Sequence, residues 1–131
     1  MKTSFLENDY AEYWIENGVM CYSYKPHIKK VTLDIARQMV KDRLKLSAGK
    51  TYPLFANLSN MVDVDKDARK YFSEGDALKY MSVGAILVSN PAAKYLANIF
   101  LRFDKPPLPA KCFTQKQQAF NWLEQFKQEL Q

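Results

Sequence analysis

Four carboxylates in a short central stretch have the residue type, and part of the spacing, that a cation site needs. Asp63, Asp65 and Asp67 stand at every second position, and Glu74 stands where a calcium-binding loop places its last, bidentate ligand. That loop requires glycine at its sixth position for a sharp turn, whereas this chain has Ala68 there. A calcium-binding loop of this type also follows a helix, whereas a strand is predicted before this stretch. We therefore predict no metal site.

The other interpretation of this stretch is the polar beginning of a helix. Asp65 stands where its side chain would cap free N–H groups, and Asp67 would lie near the positive end of the helix dipole. We expect Val62 and Val64, which precede the helix, to point into the core. The remaining polar groups would then be free to contact a partner.

Residues suited to nucleophilic catalysis or metal binding are few elsewhere in the chain. His27, the only histidine, follows Lys-Pro in a predicted loop without a neighbouring acid, serine or cysteine arrangement. Cys21 and Cys112 lie far apart in apolar runs, where we expect buried free thiols. The sequence contains no phosphate-binding loop, GxGxxG or HExxH pattern. We therefore expect no enzymatic activity and no cofactor.

Length and charge set limits on the function. A chain of 131 residues suits one domain, residues 1–131, with one core. The net charge of +5 is mild, and the basic residues are scattered apart from Lys25, Lys29 and Lys30, so we expect no nucleic-acid binding. The first residues lack the apolar stretch of a signal peptide, and no apolar run approaches the ~18 residues of a membrane span. We expect a cytoplasmic protein without a membrane span.

The first half of the chain predicts a hairpin, a helix and a strand. Two runs rich in aromatic and β-branched residues, 10–15 and 19–24, flank the Asn17-Gly18 turn signal. A helix follows, capped by Thr32, with apolar residues on one stripe and Lys41, Arg43 and Lys45 adding positive charge to its last turns. The next segment, "TYPLFANLS", is short and almost continuously apolar, as in a buried parallel strand.

The second half continues the alternation of strands and helices. A helix is expected from about residue 67, and "VGAILVSN" indicates another buried strand. A helix begins at Asn90-Pro91, and a short strand near residues 111–113 precedes the last helix. One face of that last helix carries its apolar residues, Ala119, Trp122, Leu123, Phe126 and Leu130. The order β-β-α-β-α-β-α-β-α predicts an α/β fold with a mixed, mostly parallel sheet covered by helices.

The helix that begins at Pro91 has more apolar surface than one sheet face can cover. Two adjacent stripes occupy it, and Tyr95 and Leu101 extend the apolar surface further round. Three alternatives explain the excess: packing between the sheet and the loop "DKPPLP", a homodimer contact, or a groove for an apolar ligand near Phe100 and Phe103.

Three stretches of the sequence resemble the SpoIIAA-like STAS family, and in particular its small stand-alone bacterial STAS/SEC14 domain-containing proteins. They are "PLFANLSNMVDVDKDARKYF", "VGAILVSNPAAKYLANIFLRF" and "KCFTQKQQAFNWLEQF". With the N-terminal hairpin they span nearly the whole chain. The resemblance implies a SpoIIAA-like fold and a domain that binds another protein in bacterial signalling, as the anti-sigma factor antagonists do. The same broad shape also occurs in SEC14-type lipid-binding domains.

The phosphorylated serine of the antagonists has no counterpart here. Laid on this chain, their aspartate before the serines falls on Asp65, the serine pair on Lys66 and Asp67, and the following glycine on Ala68. Ser59, the nearest serine, lies several residues earlier. A single carboxylate at position 67 is a poor copy of a phosphate with ~−2 charge and three acceptor oxygens.

Two surfaces are therefore predicted to carry function. The first would bind an unidentified protein partner through the helix start and its preceding loop, with the residues Ser59, Asn60, Asp65, Asp67, Arg69 and Lys70. The second would form a homodimer or bind an apolar ligand, with the residues Tyr95, Phe100, Leu101 and Phe103. The leading hypothesis is a non-catalytic protein–protein interaction module, and the alternative is a SEC14-like carrier of a lipid or another apolar small molecule.

Overall fold

A computed structural model describes the backbone of residues 2–129 and the side chains of residues 2–126. The helices are α1 (Leu33–Ser47), α2 (Lys66–Phe72), α3 (Pro91–Ile99) and α4 (Lys116–Glu129). The strands are β1 (Lys2–Glu7), β2 (Ala11–Glu16), β3 (Val19–Tyr24), β4 (Lys30–Val31), β5 (Tyr52–Asn57), β6 (Asp63–Val64), β7 (Met81–Leu87) and β8 (Ala110–Phe113). A 3-10 turn, Gly75–Leu78, precedes β7, and a π-helical turn, Phe100–Asp104, continues α3.

Six strands form one mixed sheet in the order β1-β2-β3-β5-β7-β8. The pairs β1–β2 and β2–β3 are antiparallel, and the pairs β3–β5, β5–β7 and β7–β8 are parallel. This arrangement confirms the predicted mixed, mostly parallel sheet with an N-terminal hairpin. The described part of the chain adds three strands that the sequence did not predict, namely the edge strand β1 and the short parallel pair of β4 with β6.

The hairpin between β2 and β3 forms where the Asn-Gly signal predicted it. Asn17 and Gly18 have φ angles of 53° and 78°, the left-handed values that a tight two-residue turn needs at both positions. The turn sets a register in which Tyr13 lies opposite Tyr22 and Trp14 opposite Cys21. Alternate residues therefore face opposite sides of the sheet, and each side is buried.

Helices cover both faces of the sheet. On one face, α4 packs its Ala119 and Leu123 against a cluster that includes Val19, Phe55 and Val83. On the other face, the helices α1, α2 and α3 pack over a second cluster and its extension. Leu130, which the sequence placed on the apolar face of the last helix, lies outside the described residues.

The caps of α1 and α3 follow the local sequence signals. The Thr32 hydroxyl accepts a hydrogen bond from the N–H of Ile35 at 3.3 Å, and the Asn90 side chain accepts one from the N–H of Ala93 at 2.8 Å. The helix α1 ends at Ser47, where Ala48 takes a left-handed conformation with φ 50°. Of the basic residues in the last turns of α1, Arg43 points inward and is only 4% exposed, whereas Lys41 and Lys45 are exposed.

The helix α3 changes character after Ile99. The predicted continuous helix becomes a π-helical turn that ends at Lys105 with φ 42°. Of its apolar residues, Ala93 and Ala97 are buried, Leu96 and Ile99 are half-buried, and Phe103 is exposed. The wider turn therefore directs the chain over the parallel edge of the sheet towards β8.

Candidate functional site

The predicted partner-binding residues lie on one loop and helix start, but they differ in accessibility. Asn60, Asp67 and Lys70 are exposed, whereas Ser59 is half-buried. The carbonyl of Ser59 accepts hydrogen bonds from the Ser89 hydroxyl at 2.6 Å and from the Asn90 side chain at 3.1 Å. The loop is thus fastened to the beginning of α3.

Two expectations about the residues before α2 are wrong. Val62 is 50% exposed rather than buried, and only Val64 enters the core. Asp65 occupies the N-cap position but makes no capping bond with its side chain. Its carboxylate instead approaches the Lys30 ammonium at 3.3 Å, and Asp63 lies 3.9 Å from the same ammonium. The parallel pairing of β4 with β6 brings these charges together, which no local pattern in the sequence reveals.

Arg69 does not project into solvent as predicted. Its side chain is half-buried, and its Nε donates to the Asp104 carboxylate at 3.3 Å. Its Nη1 donates to the carbonyl of Val64 at 3.0 Å. The pair joins α2 to the π-helical turn, so its place in the fold is internal rather than at a free surface.

The second predicted surface divides into exposed and half-buried residues. Tyr95 and Phe103 are 66% and 78% exposed, whereas Phe100 and Leu101 are half-buried. Asn90 also donates to the carbonyl of Met61 at 3.1 Å. With the Arg69–Asp104 pair, these contacts join the two predicted surfaces into one continuous region around α2 and α3.

Beneath this region lies a cavity of about 110 Å³ between the sheet and the helices α1, α2 and α3. Its walls are largely aliphatic and aromatic, with Leu54, Ile86, Leu96 and Phe100 among the lining residues. Leu54 and Ile86 belong to central strands of the sheet, yet they are only half-buried. Central-strand side chains under helices are ordinarily buried completely, so their remaining exposure marks incomplete packing at this place.

Gly84 of β7 also lines the cavity. A Cβ atom added to Gly84 would meet no heavy atom within 4 Å. A glycine inside a strand often marks a place where another group approaches the backbone closely. The absent side chain therefore contributes directly to the empty volume.

Polar groups in the cavity wall come from α1, α2 and β3. Arg43 donates from Nη1 to the carbonyl of Lys79 at 2.9 Å and from Nη2 to that of Ala77 at 2.8 Å. Tyr22 and Tyr24 line the cavity from β3. Burial raises the pKa of Tyr22 to about 12 and raises the pKa of Tyr24 well above its usual value. Both phenols are therefore neutral at physiological pH.

Other chemically reactive side chains do not gather at a common point. Within residues 2–126, whose side chains the structure describes, no group of three histidine, cysteine or carboxylate side chains could hold a metal ion. Asp67 and Glu74 are exposed near opposite ends of α2, and His27 is exposed in its loop. Burial raises the pKa of the Cys21 thiol to about 12, so this thiol is not a nucleophile near neutral pH. None of the described helices has the length and apolar character to cross a membrane.

The sequence matches a known family over most of its length. The model of the family described as "Domain of unknown function (DUF7793)" matches residues 13–127. The chain belongs to the DUF7793 family. None of the curated proteins matches it in sequence.

A solved structure shares the fold of this DUF7793 protein. It is an uncharacterised protein of the DUF3478 family, with a SpoIIAA-like fold, from Shewanella loihica PV-4. The two chains are 15% identical, with a TM-score of 0.55, and the match covers 94% of this chain and 95% of the other. The likeness confirms the SpoIIAA-like fold, and at this identity it concerns the fold alone.

Two residues that give the cavity its character, Arg43 and Gly84, were not predicted from the sequence. Arg43 stands four residues before Ser47 and seven after Ala36, so it belongs to the inward stripe of α1. A charged residue on an apolar stripe was the available signal, although basic residues in the last turns of a helix are common. Gly84 gave a weaker signal as a glycine inside an apolar strand. The cavity itself is lined by residues of α1, α2, α3 and several strands, and sequence patterns do not encode how closely such elements pack.

Proposed function

We propose that this DUF7793 protein is a non-catalytic binding domain that holds a small apolar molecule between its sheet and the helices α1 to α3. The observation that carries the proposal is the apolar cavity in an otherwise packed interior. The geometry thus favours the small-molecule alternative of the sequence analysis over the protein-interaction hypothesis.

The volume limits the size of the ligand. The cavity of about 110 Å³ is of the same order as an engineered apolar cavity of ~150 Å³ that binds benzene. Pockets for drug-sized ligands have roughly 300–1,000 Å³. The proposed ligand is therefore an aromatic ring or a short aliphatic chain, and a whole phospholipid of the SEC14 type is too large for the structure described here.

Energy favours occupation of the cavity. Each Å² of apolar surface that a ligand removes from water in this partly open cavity contributes roughly 25 cal/mol to binding. A ligand whose hydrocarbon part contacts the apolar walls gains this free energy. The empty space where a Cβ atom of residue 84 would stand lies beside the two central parallel strands, β5 and β7.

The chemistry of the walls supports binding rather than catalysis. The ionisable groups that line the cavity are Arg43, Arg69, Tyr22 and Tyr24. Arginine stays protonated at neutral pH, and the raised pKa values of the tyrosines keep them protonated as well. None of these four groups exchanges a proton readily near pH 7, as a general acid or base must.

Ligand-detected NMR tests this proposal with benzene, indole and 1-pentanol as probes. We expect at least one probe to bind the wild-type protein and raise its melting temperature. The matched control is Gly84→Val, which places two methyl groups in the cavity. We expect this variant to keep the fold and to bind the probe with lower affinity. Native mass spectrometry of protein purified from cells should also show a retained small apolar ligand. Absence of binding by every probe, together with a bare mass, would refute the proposal.

A second candidate function is a protein contact in bacterial signalling, as the sequence resemblance implies. The observation that favours it is the exposure of Tyr95 and Phe103 in the region around α2 and α3 that also carries the exposed polar residues Asn60, Asp67 and Lys70. Exposed aromatic groups surrounded by polar groups are typical of protein interaction sites. The partner is either an unidentified protein or a second copy of this chain.

Light scattering coupled to size-exclusion chromatography separates these two partners. A homodimer through α3 should become monomeric on Phe103→Lys, whereas Lys105→Ala, a change at an exposed residue of the same segment, should leave the mass unchanged. A monomer at every concentration would reject the homodimer. A pull-down from the native host with wild type, Asp67→Ser and Phe103→Lys then tests the other partner, and identical captured proteins in all three would reject this surface.

A further inference from the structure

Arg43 is a buried cation in the wall of the cavity. Its side chain is only 4% exposed, and within residues 2–126 no carboxylate forms an ion pair with it. Arg69, the other arginine of the lining, is neutralised by Asp104 at 3.3 Å. The cavity therefore contains one compensated and one uncompensated positive charge.

The contacts of Arg43 satisfy only part of its bonding capacity. A guanidinium group has five N–H donors in a planar fork. Arg43 donates two hydrogen bonds, to the carbonyls of Ala77 and Lys79. Carbonyl oxygens supply partial negative charge, whereas a buried full charge is stabilised best by an opposite full charge with hydrogen bonds. Burial lowers the pKa of Arg43, because removal from water disfavours the charged form. Arginine nevertheless remains charged in proteins.

The other groups around Arg43 do not supply an anion. The phenols of Tyr13 and Tyr22 lie within its electrostatic range, and both have raised pKa values. The Tyr13 hydroxyl donates to the carbonyl of Met39 at 2.6 Å, which leaves Tyr22 and Tyr24 as the phenols on the cavity wall. The side chains of Tyr22 and Tyr24 are hydrogen-bonded to each other, so the described surroundings offer the remaining N–H donors of Arg43 and an unpaired positive charge next to apolar walls.

We infer that the cavity binds a small apolar carboxylic acid in its ionised form, with the carboxylate on the Arg43 guanidinium and the hydrocarbon part against Leu54, Ile86 and Leu96. This inference rests on the proposed function, because it assigns the head group of the molecule that the cavity holds. A carboxylate has one negative charge and two coplanar oxygens, which match the single charge and planar fork of arginine. With a volume of about 110 Å³, the site leaves room for a hydrocarbon part of roughly four to six carbons.

A matched ligand series tests the head group separately from the cavity. Pentanoate, 1-pentanol and pentylammonium share one chain and differ in charge, and isothermal titration or ligand-detected NMR at pH 7 ranks their affinities. We expect pentanoate to bind at least tenfold more tightly than pentanol, since hydrogen bonds to charged groups are the stronger ones, and pentylammonium not to bind. If pentanol binds as tightly as pentanoate, the inference fails and the proposed function stands. If none of the three binds, and benzene and indole also fail, both are wrong.

Variants of Arg43 assign the effect to this residue. Arg43→Met is expected to reverse the order of pentanoate and pentanol, and Arg43→Lys to retain a weakened preference for pentanoate. The matched control is Arg37→Met on the same helix, where the guanidinium is exposed, and this change should leave the ranking intact. Should Arg43→Met fail to fold, the wild-type ranking still decides, together with the NMR signal of the Arg43 Nε–H group. That signal must shift with pentanoate and stay unmoved with pentanol, and an unmoved signal at saturating pentanoate would overturn the assignment.

Discussion

Gly84→Ala is expected to stabilise the protein, because the added methyl group enters empty space. Gly84 lies in β7, its backbone is not left-handed, and an added Cβ meets no heavy atom within 4 Å. Replacing glycine inside a strand gains ~0.5–1 kcal/mol from lower entropy of the unfolded chain, and a buried methyl adds ~0.8 kcal/mol. The free energy of unfolding should rise by about 1.5 kcal/mol. For 131 residues this corresponds to a rise in melting temperature of about 5 °C.

The matched control is Gly49→Ala. A Cβ on Gly49 also meets nothing within 4 Å, but its φ of +81° lies in the left-handed region that favours glycine. We expect this variant to lose about 1 kcal/mol, although it adds the same methyl group. Urea unfolding monitored by tryptophan fluorescence gives both values. A loss of stability in Gly84→Ala similar to that in Gly49→Ala would show that the space beside β7 is not empty, and the cavity argument would fail with it.

Three further predictions concern buried polar groups. Ser47→Ala should raise the free energy of unfolding by ~0.5–1 kcal/mol, because the Ser47 hydroxyl is buried without a hydrogen-bond partner in the described part of the chain. Ser73→Ala should lower it, since the Ser73 hydroxyl donates to a carbonyl at 2.7 Å. Equal effects of the two changes in urea unfolding would contradict this reasoning. Burial raises the pKa of Tyr22 from 10.0 to about 12, so its contribution to stability is complete below pH 10 and falls as the pH rises towards 12. Between pH 9 and pH 11 the wild type should lose ~1.4 kcal/mol more than Tyr22→Phe, and parallel losses would show that Tyr22 is not protonated preferentially in the folded state. Asp104→Asn should lower the free energy of unfolding by ~1 kcal/mol and accelerate the binding of pentanol, because it weakens the half-buried ion pair with Arg69 beside the cavity. An association rate that NMR exchange shows to be unchanged would mean that this ion pair does not control access to the cavity.

Local signals in the sequence predicted the elements that depend on local physics. The Asn17-Gly18 turn, the Thr32 and Asn90 caps and the continuous apolar runs of β5 and β7 are confirmed by the structure. Each arises from backbone conformations or hydrogen bonds within a few residues. The strand β1 was missed because four of its six residues are polar and its partner, β2, already had a strong local turn to β3.

Tertiary packing decided the details of the candidate site. Arg69 follows the pattern of an exposed helix residue, yet Asp104, 35 residues later, draws its guanidinium inward. Val62 and Asp65 depend similarly on the pairing of β6 with β4, since that pairing places Lys30 beside the carboxylates. Contacts between residues far apart in sequence leave no local pattern, and so these side chains were placed incorrectly.

The sequence by itself determined the α/β class, the hairpin, the alternation of strands and helices and the family resemblance that led to the SpoIIAA-like fold. Periodicity and caps carry this information because each element must bury one face and satisfy its own backbone. Only the tertiary structure revealed the cavity, its uncompensated Arg43 and the empty space beside Gly84. The volume of a cavity depends on the distance between packed elements, and a buried charge stays uncompensated when no opposite charge lies near it. Neither property can be assigned to a single segment of the chain.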